Sequence, residues 1–168
     1  GIQRVHDYYG EMTILGIENI QGSNLNDYIK GNGQNNTLWG GAGDDVLDGV
    51  SANNILVGGT GSDTFRGGTG DNIIYGESYS TLGAAGTETD TTSRDLVDFT
   101  QAGNSVILNL SNSTSINYKD ETTLTLEAIT SVGYGKNKIY NVEDALGGSA
   151  NDTLIGNSST NILDGGAG

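Results

Sequence analysis

Residues 22–75 read GSNLNDYIK, GNGQNNTLW, GGAGDDVLD, GVSANNILV, GGTGSDTFR and GGTGDNIIY, which are six consecutive blocks of nine residues. Every block begins with glycine, carries Asp or Asn at its sixth place and has an apolar residue at its eighth place. The blocks at 40–48 and 58–66 match the pattern G-G-x-G-x-D-x-U-x, in which U is apolar, at every fixed place. A short period that persists over six blocks predicts a solenoid built from small stacked units.

These blocks resemble the RTX, or haemolysin-type calcium-binding, repeats of bacterial exoproteins and large adhesins. The resemblance implies an all-β fold, a right-handed parallel β-roll, in which six residues of each block form a turn and three form a strand. It also implies that two blocks make one coil and that calcium binds between a turn and the turn two blocks later. The ligands would be carbonyl groups of turn places one to four and the carboxylates of place six.

The residue types in the blocks fit that implication. Glycine permits positive φ and close approach of backbones at the turns. Calcium prefers about six to eight oxygen ligands from carboxylates and carbonyl groups, and a glycine-rich turn that ends in Asp supplies both. The apolar residue of each three-residue strand is expected to face the core, because side chains alternate along a strand.

Successive blocks alternate between the two edges of the predicted roll, and this sorts the residues at place six into two sets. One edge receives only carboxylates, from Asp27, Asp45 and Asp63. The other edge receives Glu18, Asn36, Asn54 and Asn72. Because each negative ligand adds Coulomb attraction for a hard cation, we predict calcium mainly on the Asp edge.

The predicted calcium ligands belong to three successive turns of the Asp edge, and Asp45 is shared by two sites. They are Gly22, Asn24 and Asp27, then Gly40, Gly41, Ala42, Gly43 and Asp45, then Gly58, Gly59, Thr60, Gly61 and Asp63. The weaker candidates are Asn36, Asn54, Asn72, Glu18 and Glu143. For these an alternative stays open, since an Asn ladder can stabilise stacked turns by hydrogen bonds alone and the glutamates fit capping residues.

The sequence predicts four regions in the chain. Residues 1–21 form a first coil or cap, residues 22–75 form the six repeats, residues 76–137 form a β-rich insert that opens with a loop at about 76–94, and residues 138–168 form a second roll segment that stops within a repeat. Strand candidates in the insert are 96–100, 105–110, 115–119 and 122–129. Asp95 and Asp98 flank Val97 of the first candidate strand and are expected on a solvated face, with closure of the exposed end of the Asp edge as the alternative.

The second roll segment repeats the organisation of the first. Residues 142–168 align without gaps on residues 17–43, so that Glu143 corresponds to Glu18 and Asp152 corresponds to Asp27. Asp152 is therefore a further metal-ligand candidate that faces the last turn, residues 165–168. Because that turn lacks a sixth place, we expect this site to be weak or empty.

The composition limits the classes of function. The chain of 168 residues has a formal net charge of −14, with 28 glycines, no proline and no cysteine. The negative charge disfavours nucleic acid and anionic membranes as partners, no apolar run is long enough to span a bilayer, and the absence of cysteine excludes a thiolate metal site. A single histidine, His6, leaves no basis for a zinc-protease motif or a clear Ser/His/Asp triad, so we predict no catalysis.

The sequence and its resemblance to RTX repeats thus predict a calcium-binding module of a secreted or surface-attached bacterial protein, and the resemblance implies a Gram-negative bacterium. The resemblance implies type I secretion, folding on calcium binding after export, and the role of a stabilising scaffold within a larger, monomeric chain. Two alternatives remain open. One is a ligand-binding module of an RTX adhesin that takes a carbohydrate or another surface, and the other is an accessory module of an exoenzyme such as an alginate epimerase or lipase.

Overall fold

The computed structural model describes residues 3–4, 16–77, 92–110, 128–129 and 136–168. Within these ranges the chain forms fifteen short strands and no helix. The strands are β1 (Gln3–Arg4), β2 (Asn19–Gln21), β3 (Tyr28–Lys30), β4 (Thr37–Ala42), β5 (Val46–Asp48), β6 (Ile55–Thr60), β7 (Thr64–Arg66), β8 (Ile73–Tyr75), β9 (Leu96–Asp98), β10 (Ile107–Asn109), β11 (Ala128–Ile129), β12 (Lys136–Tyr140), β13 (Asp144–Leu146), β14 (Thr153–Ile155) and β15 (Leu163–Asp164).

Two sheets contain all of these strands. One has nine strands in the order β1-β2-β4-β6-β8-β12-β11-β10-β14, and the other has six in the order β15-β13-β9-β7-β5-β3. Consecutive repeat strands alternate between the sheets and pair in parallel with a spacing of two blocks, so that Leu38 lies beside Leu56 and Leu47 beside Phe65. This is the all-β parallel β-roll that the resemblance to RTX repeats implies.

The core is a column of side chains between the two sheets. The eighth places of the six repeats are at most 5% exposed, and they are Ile29, Leu38, Leu47, Leu56, Phe65 and Ile74. Val97 of β9 and Ala145 of β13 continue the same cluster. In most repeat strands the residues on either side of the central one are only partly buried, as expected when one side chain of three points inward.

The insert interrupts the parallel order of the nine-stranded sheet. β11 pairs antiparallel with both β10 and β12, and β12 then lies parallel to β8. The candidate strands at 96–100 and 105–110 correspond to β9 and β10, whereas the candidate at 115–119, most of 122–129 and most of the loop at 76–94 lie outside the described residues. The division into four regions stays a prediction.

The second roll segment follows the first with the two sheets exchanged. β2, which follows Glu18, belongs to the nine-stranded sheet, but β13, which follows Glu143, belongs to the six-stranded sheet. The insert returns the chain to the roll through β12 of the nine-stranded sheet, so the next strand must enter the other sheet. Residues that correspond in the sequence, such as Asp27 and Asp152, therefore lie on opposite edges of the roll.

Candidate metal centre

The sixth places of the blocks stack into one column on each edge of the roll. On the edge whose turns lead into the six-stranded sheet, the carboxylate column consists of Asp27, Asp45, Asp63, Asp95 and Glu143. On the opposite edge, the amide column consists of Asn36, Asn54, Asn72 and Asn137. Glu18 precedes β2 on the amide side, where its carbonyl oxygen accepts from the backbone N–H of Thr37 at 2.7 Å.

Hydrogen bonds fix the orientation of each carboxylate in its column. The backbone N–H of Asp27 donates to Oδ1 of Asp45 at 2.8 Å, and the N–H of Asp45 donates to Oδ1 of Asp63 at 2.8 Å. The N–H of Asp63 donates in the same way to Asp95, and that of Asp95 to Oε2 of Glu143 at 3.0 Å. Stacking thus uses one carboxylate oxygen of each of the four residues after Asp27, and in Asp45, Asp63 and Asp95 this is Oδ1, so that Oδ2 is left for the turn.

The second oxygens of two aspartates have no donor. Oδ2 of Asp45 and Oδ2 of Asp63 are buried and have no hydrogen-bond partner. A Cβ placed on Gly40 would collide with Asp45 Oδ2 and would lie 2.7 Å from the carbonyl oxygen of Gly58. A Cβ on Gly58 would collide with Asp63 Oδ2 and would lie 2.5 Å from the carbonyl oxygen of Gly76. Beside each glycine a carboxylate and a carbonyl oxygen therefore border the same small space, an arrangement that suits a bound cation.

The first turn of the column has a different carboxylate environment. Asp27 Oδ2 accepts from the backbone N–H of Ser23 at 2.6 Å and from its hydroxyl at 3.0 Å. A Cβ on Gly22 would lie 2.6 Å from Asp27 Oδ2 and would meet the carbonyl oxygen of Gly40. The turn has the same shape as its neighbours, but its carboxylate already has donors, and Asn24 is exposed.

At the second and fourth places of the stacked turns the backbone has positive φ and lies close to the next turn. These places favour glycine, and any other residue there has a strained backbone. Gly41, Gly43, Gly59 and Gly61 have φ between 105° and 125°, and a Cβ on Gly59 would collide with the carbonyl oxygen of Gly41. On the amide edge, Val50 and Ala52 occupy the same places with φ of 64° and 66°. Positive φ is strained for a residue with a side chain and more so for a β-branched one, so the roll imposes its turn even where the motif departs from glycine.

In the amide column, Asn54 satisfies its turn by hydrogen bonds without a cation. Nδ2 of Asn54 donates to the carbonyl oxygens of Gly49, Ser51 and Ala52 at 3.1, 3.0 and 3.2 Å. A Cβ on Gly49 would lie 2.7 Å from that nitrogen and 2.7 Å from the carbonyl oxygen of Gly67. An N–H donor of the chain thus stands where the carboxylate column presents an unpartnered oxygen.

Burial makes the carboxylate column electrostatically costly. Burial raises the pKa of Asp45 to about 6, that of Asp63 to about 7 and that of Asp95 to about 9, with desolvation as the largest cause. Backbone hydrogen bonds lower these pKa values, and neighbouring carboxylates raise them. A divalent cation within the column reverses this preference, because it favours the charged form of its ligands.

Asp95 belongs to the carboxylate column, so the main expectation of a solvated face is wrong for it and its position matches the alternative, closure of the end of the Asp edge. It is 2% exposed and continues the column after Asp63. Asp98, its neighbour across β9, accepts from Nε of Arg66 at 2.8 Å and is held in an ion pair rather than free in solvent. The signal for Asp95 was present, since residues 95–98 read DLVD, in the manner of places six to nine of the block at 40–48.

The candidates of the second roll segment separate onto the two edges. Glu143 is 7% exposed and belongs to the carboxylate column, unlike its sequence counterpart Glu18. Asp152 lies on the amide side, where it accepts from the N–H groups of Val106 at 2.7 Å and Gly148 at 2.6 Å. A Cβ on Gly147 would lie 2.5 Å from Asp152 Oδ2 and 2.6 Å from the carbonyl oxygen of Gly165, so Asp152 does face the last turn. A weak site there stays a prediction.

Side chains alone do not form a metal site in the described ranges. No group of three or more His, Cys, Asp or Glu side chains within them is positioned to hold an ion. An ion in the carboxylate column would therefore need carbonyl oxygens of the turns, such as those of Gly58 and Gly76 that border the unpartnered carboxylate oxygens.

One comparison with known proteins produced a match. A family model described as "RTX calcium-binding nonapeptide repeat (4 copies)" matches residues 21–56, 48–78 and 143–168, which together make up half of the chain. No significant match was found among the curated proteins or among the solved structures.

Proposed function

The chain belongs to the RTX calcium-binding nonapeptide repeat family, and we propose that its carboxylate column binds calcium and that this binding folds the roll. Two sites are assigned between consecutive turns. The first lies between the turns 22–27 and 40–45, and the second between the turns 40–45 and 58–63. Asp45 contributes to both sites, with turn carbonyl groups such as those of Gly40 and Gly58 as further ligands.

The observation that carries this proposal is the contrast between two buried atoms. Asp45 Oδ2 is enclosed without a donor, whereas Nδ2 of Asn54, at the same place of the next block, donates to three turn carbonyl groups. A buried charged oxygen without a partner costs several kcal/mol in real proteins. A hard cation that prefers oxygen ligands removes that cost.

We further propose that the module is a scaffold without catalysis, within a secreted or surface-attached bacterial protein. The family is typical of exported proteins, and the net charge of −14 suits a chain that folds where calcium is plentiful. Because the free energy of metal binding becomes folding free energy when the unfolded chain has no site, the chain would stay loose before export by a type I system and fold afterwards. In the part of the chain that the structure describes, no helix has the length and hydropathy to cross a membrane.

Circular dichroism with and without calcium tests the proposal. In calcium-depleted buffer we expect a largely disordered spectrum, and we expect β structure to appear at roughly 10⁻⁴–10⁻³ M calcium, the range of extracellular calcium modules. Fluorescence of Trp39, the single tryptophan and a residue of β4, reports on the first array specifically. A β spectrum and a melting temperature that stay unchanged after calcium removal would refute the folding switch.

A further inference from the structure

Asp95 extends the carboxylate column beyond the stretch that carries the repeat motif. It lies outside the three family matches, and 19 positions separate it from Gly76, compared with five between the first and sixth places of a regular turn. Nevertheless the backbone N–H of Asp63 donates to Asp95 Oδ1 at 2.8 Å, and the N–H of Leu96 donates to the carbonyl oxygen of Asp63 at 2.8 Å. These are the contacts that link consecutive turns within the repeats.

The space between Asp63 and the next coil has the composition of the two sites proposed above. Asp63 is 1% exposed, and its Oδ2 has no hydrogen-bond partner. That oxygen and the carbonyl oxygen of Gly76 border the space beside Gly58. Gly76 repeats the arrangement one coil further along, because a Cβ there would collide with Asp95 Oδ2 and with the carbonyl oxygen of Asn141.

Several buried carboxyl groups surround this space. The groups that interact electrostatically with Asp95 are the carboxylates of Asp63, Glu143 and Glu77, and all four residues are at most 7% exposed. The basic residues nearby in the chain are engaged elsewhere, Arg66 with Asp98 and Arg94 with Asp144. Buried carboxylates are normally paired with a cation or coordinate a metal.

We propose that Asp63, Asp95 and the carbonyl group of Gly76 form a third calcium site, to which Asp95 contributes from 19 positions beyond Gly76 in the sequence. This inference rests on the proposed function, since it assigns a further ion to the same column. It also means that the residues between Gly76 and Asp95 interrupt a binding site in the sequence. They separate two halves of one site, so that calcium joins the first array to β9 and, through Glu143, to β13.

Counting bound calcium in the intact chain tests the third site. Native mass spectrometry at saturating calcium should give at least one ion fewer for Asp95→Asn than for the parent chain. Asparagine keeps an Oδ1 acceptor for the N–H of Asp63, so the substitution removes the charge and leaves the stacking bond in place. The matched control is Asp71→Asn, which removes one charge from an exposed fifth place beside the amide column and should leave the count unchanged.

The outcomes separate the inference from the proposed function. An equal count for Asp95→Asn and the parent chain overturns the third site alone, whereas a parent chain that takes up no calcium overturns both proposals. If Asp95→Asn fails to reach the parent circular dichroism spectrum at saturating calcium, Glu77→Gln decides by calorimetric titration. We expect about a tenfold loss of affinity for one ion, or about 1.4 kcal/mol, and unchanged affinities for all ions would contradict the site.

Discussion

At the scale of single residues, the two edges of the roll differ in one atom of the side chain at place six. In Asp45 this atom is an oxygen without a donor, and in Asn54 it is a nitrogen with three acceptors. The backbone around the two residues is otherwise similar, since each N–H donates to Oδ1 of the residue two blocks later. Asn54 is thus satisfied by the chain itself, whereas Asp45 leaves a buried oxygen for the cation proposed above.

Substitution of these two residues should have unequal effects on calcium binding. Asp45→Ala removes a charged ligand from two proposed sites, and we expect at least about a tenfold loss of affinity, or about 1.4 kcal/mol. Asn54→Ala removes hydrogen bonds of the amide column and should lower stability by about 1–3 kcal/mol. Because binding is coupled to folding, this also weakens the apparent affinity, but it removes no calcium ligand and should leave the number of bound ions unchanged. Isothermal titration calorimetry measures affinity and stoichiometry, and an equal loss of both for the two variants would contradict the asymmetry of the edges.

A methyl group in the space between Gly40 and Asp45 Oδ2, here called the cradle, should weaken calcium binding as loss of the Asp45 carboxylate does. Gly40→Ala brings a Cβ against Asp45 Oδ2 and the carbonyl oxygen of Gly58, so we expect weaker calcium binding and a loss of about 1–3 kcal/mol from overpacking. The control is Gly33→Ala, where the nearest atom, Ser51 Oγ, is 3.8 Å away and the change should stay within about 0.5 kcal/mol. Thermal unfolding in saturating calcium compares them. Similar melting temperatures for the two variants would show that the cradle has no role.

At the scale of the elements, the strands form the core of the roll, whereas the turns contain the carboxylates through which pH and calcium are expected to affect stability. Each repeat strand buries one central side chain in most cases, such as Leu47 in β5 or Phe65 in β7, and strands this short are not independently stable. The turns stack through the hydrogen bonds of the place-six columns. The stability of the roll should therefore depend on how far protons or cations neutralise the carboxylate column.

The carboxylate column gives the calcium-free chain an unusual pH dependence. Burial raises the pKa of Asp45 from 3.8 to about 6 and that of Asp63 from 3.8 to about 7. The folded chain therefore holds protons that the unfolded chain has released. The resulting stability is fully present below pH 3.8 and is lost as the pH rises through about 6 and 7. Circular dichroism in calcium-depleted buffer should show β structure decreasing from about pH 4 to about pH 8.

Two comparisons make the pH experiment specific. Asp63→Asn removes one of the titrating groups and should make the calcium-free pH profile shallower. Saturating calcium should abolish the loss at neutral pH, because the ion replaces the protons. Stability that increases with pH in the absence of calcium would contradict the assignment of these buried carboxylates.

At the scale of the whole molecule, the insert and the net charge decide how the two arrays act together. β12 lies beside β8, and β13 lies beside β9, so the second segment continues both sheets of the first. The carboxylate column runs across this junction through Asp95 and Glu143. We therefore expect the proposed calcium ions of this edge to stabilise both arrays and not only the six repeats.

The folding of the whole chain should depend on the identity of the cation and not on ionic strength. About 1 mM calcium should induce β structure, whereas about 10 mM magnesium should not, because magnesium requires near-octahedral geometry at short distances and retains its waters. Sodium chloride at about 0.1 M screens exposed charges within about 10 Å but does not supply ligand bonds to buried oxygens. Circular dichroism in the three salts measures this, and equal folding by magnesium or sodium would indicate general charge screening instead.

The sequence alone determined the roll, its core and the contrast between its edges. The inward direction of Leu47 or Phe65 depends only on alternation within a three-residue strand, and the separation of Asp45 from Asn54 depends only on counting blocks. These are local properties, and a strict period reports them reliably.

The tertiary structure alone decided which edge the residues of the second roll segment join. Glu143 enters the carboxylate column and Asp152 lies on the opposite edge, because β12, the last strand before Glu143, belongs to the nine-stranded sheet. The number of strands that the insert adds to each sheet determines which sheet each later strand joins, and hence on which edge its place-six residue lies. That number depends on pairing between distant strands, such as β12 with β8, and a nine-residue pattern carries no information about it once the pattern is interrupted.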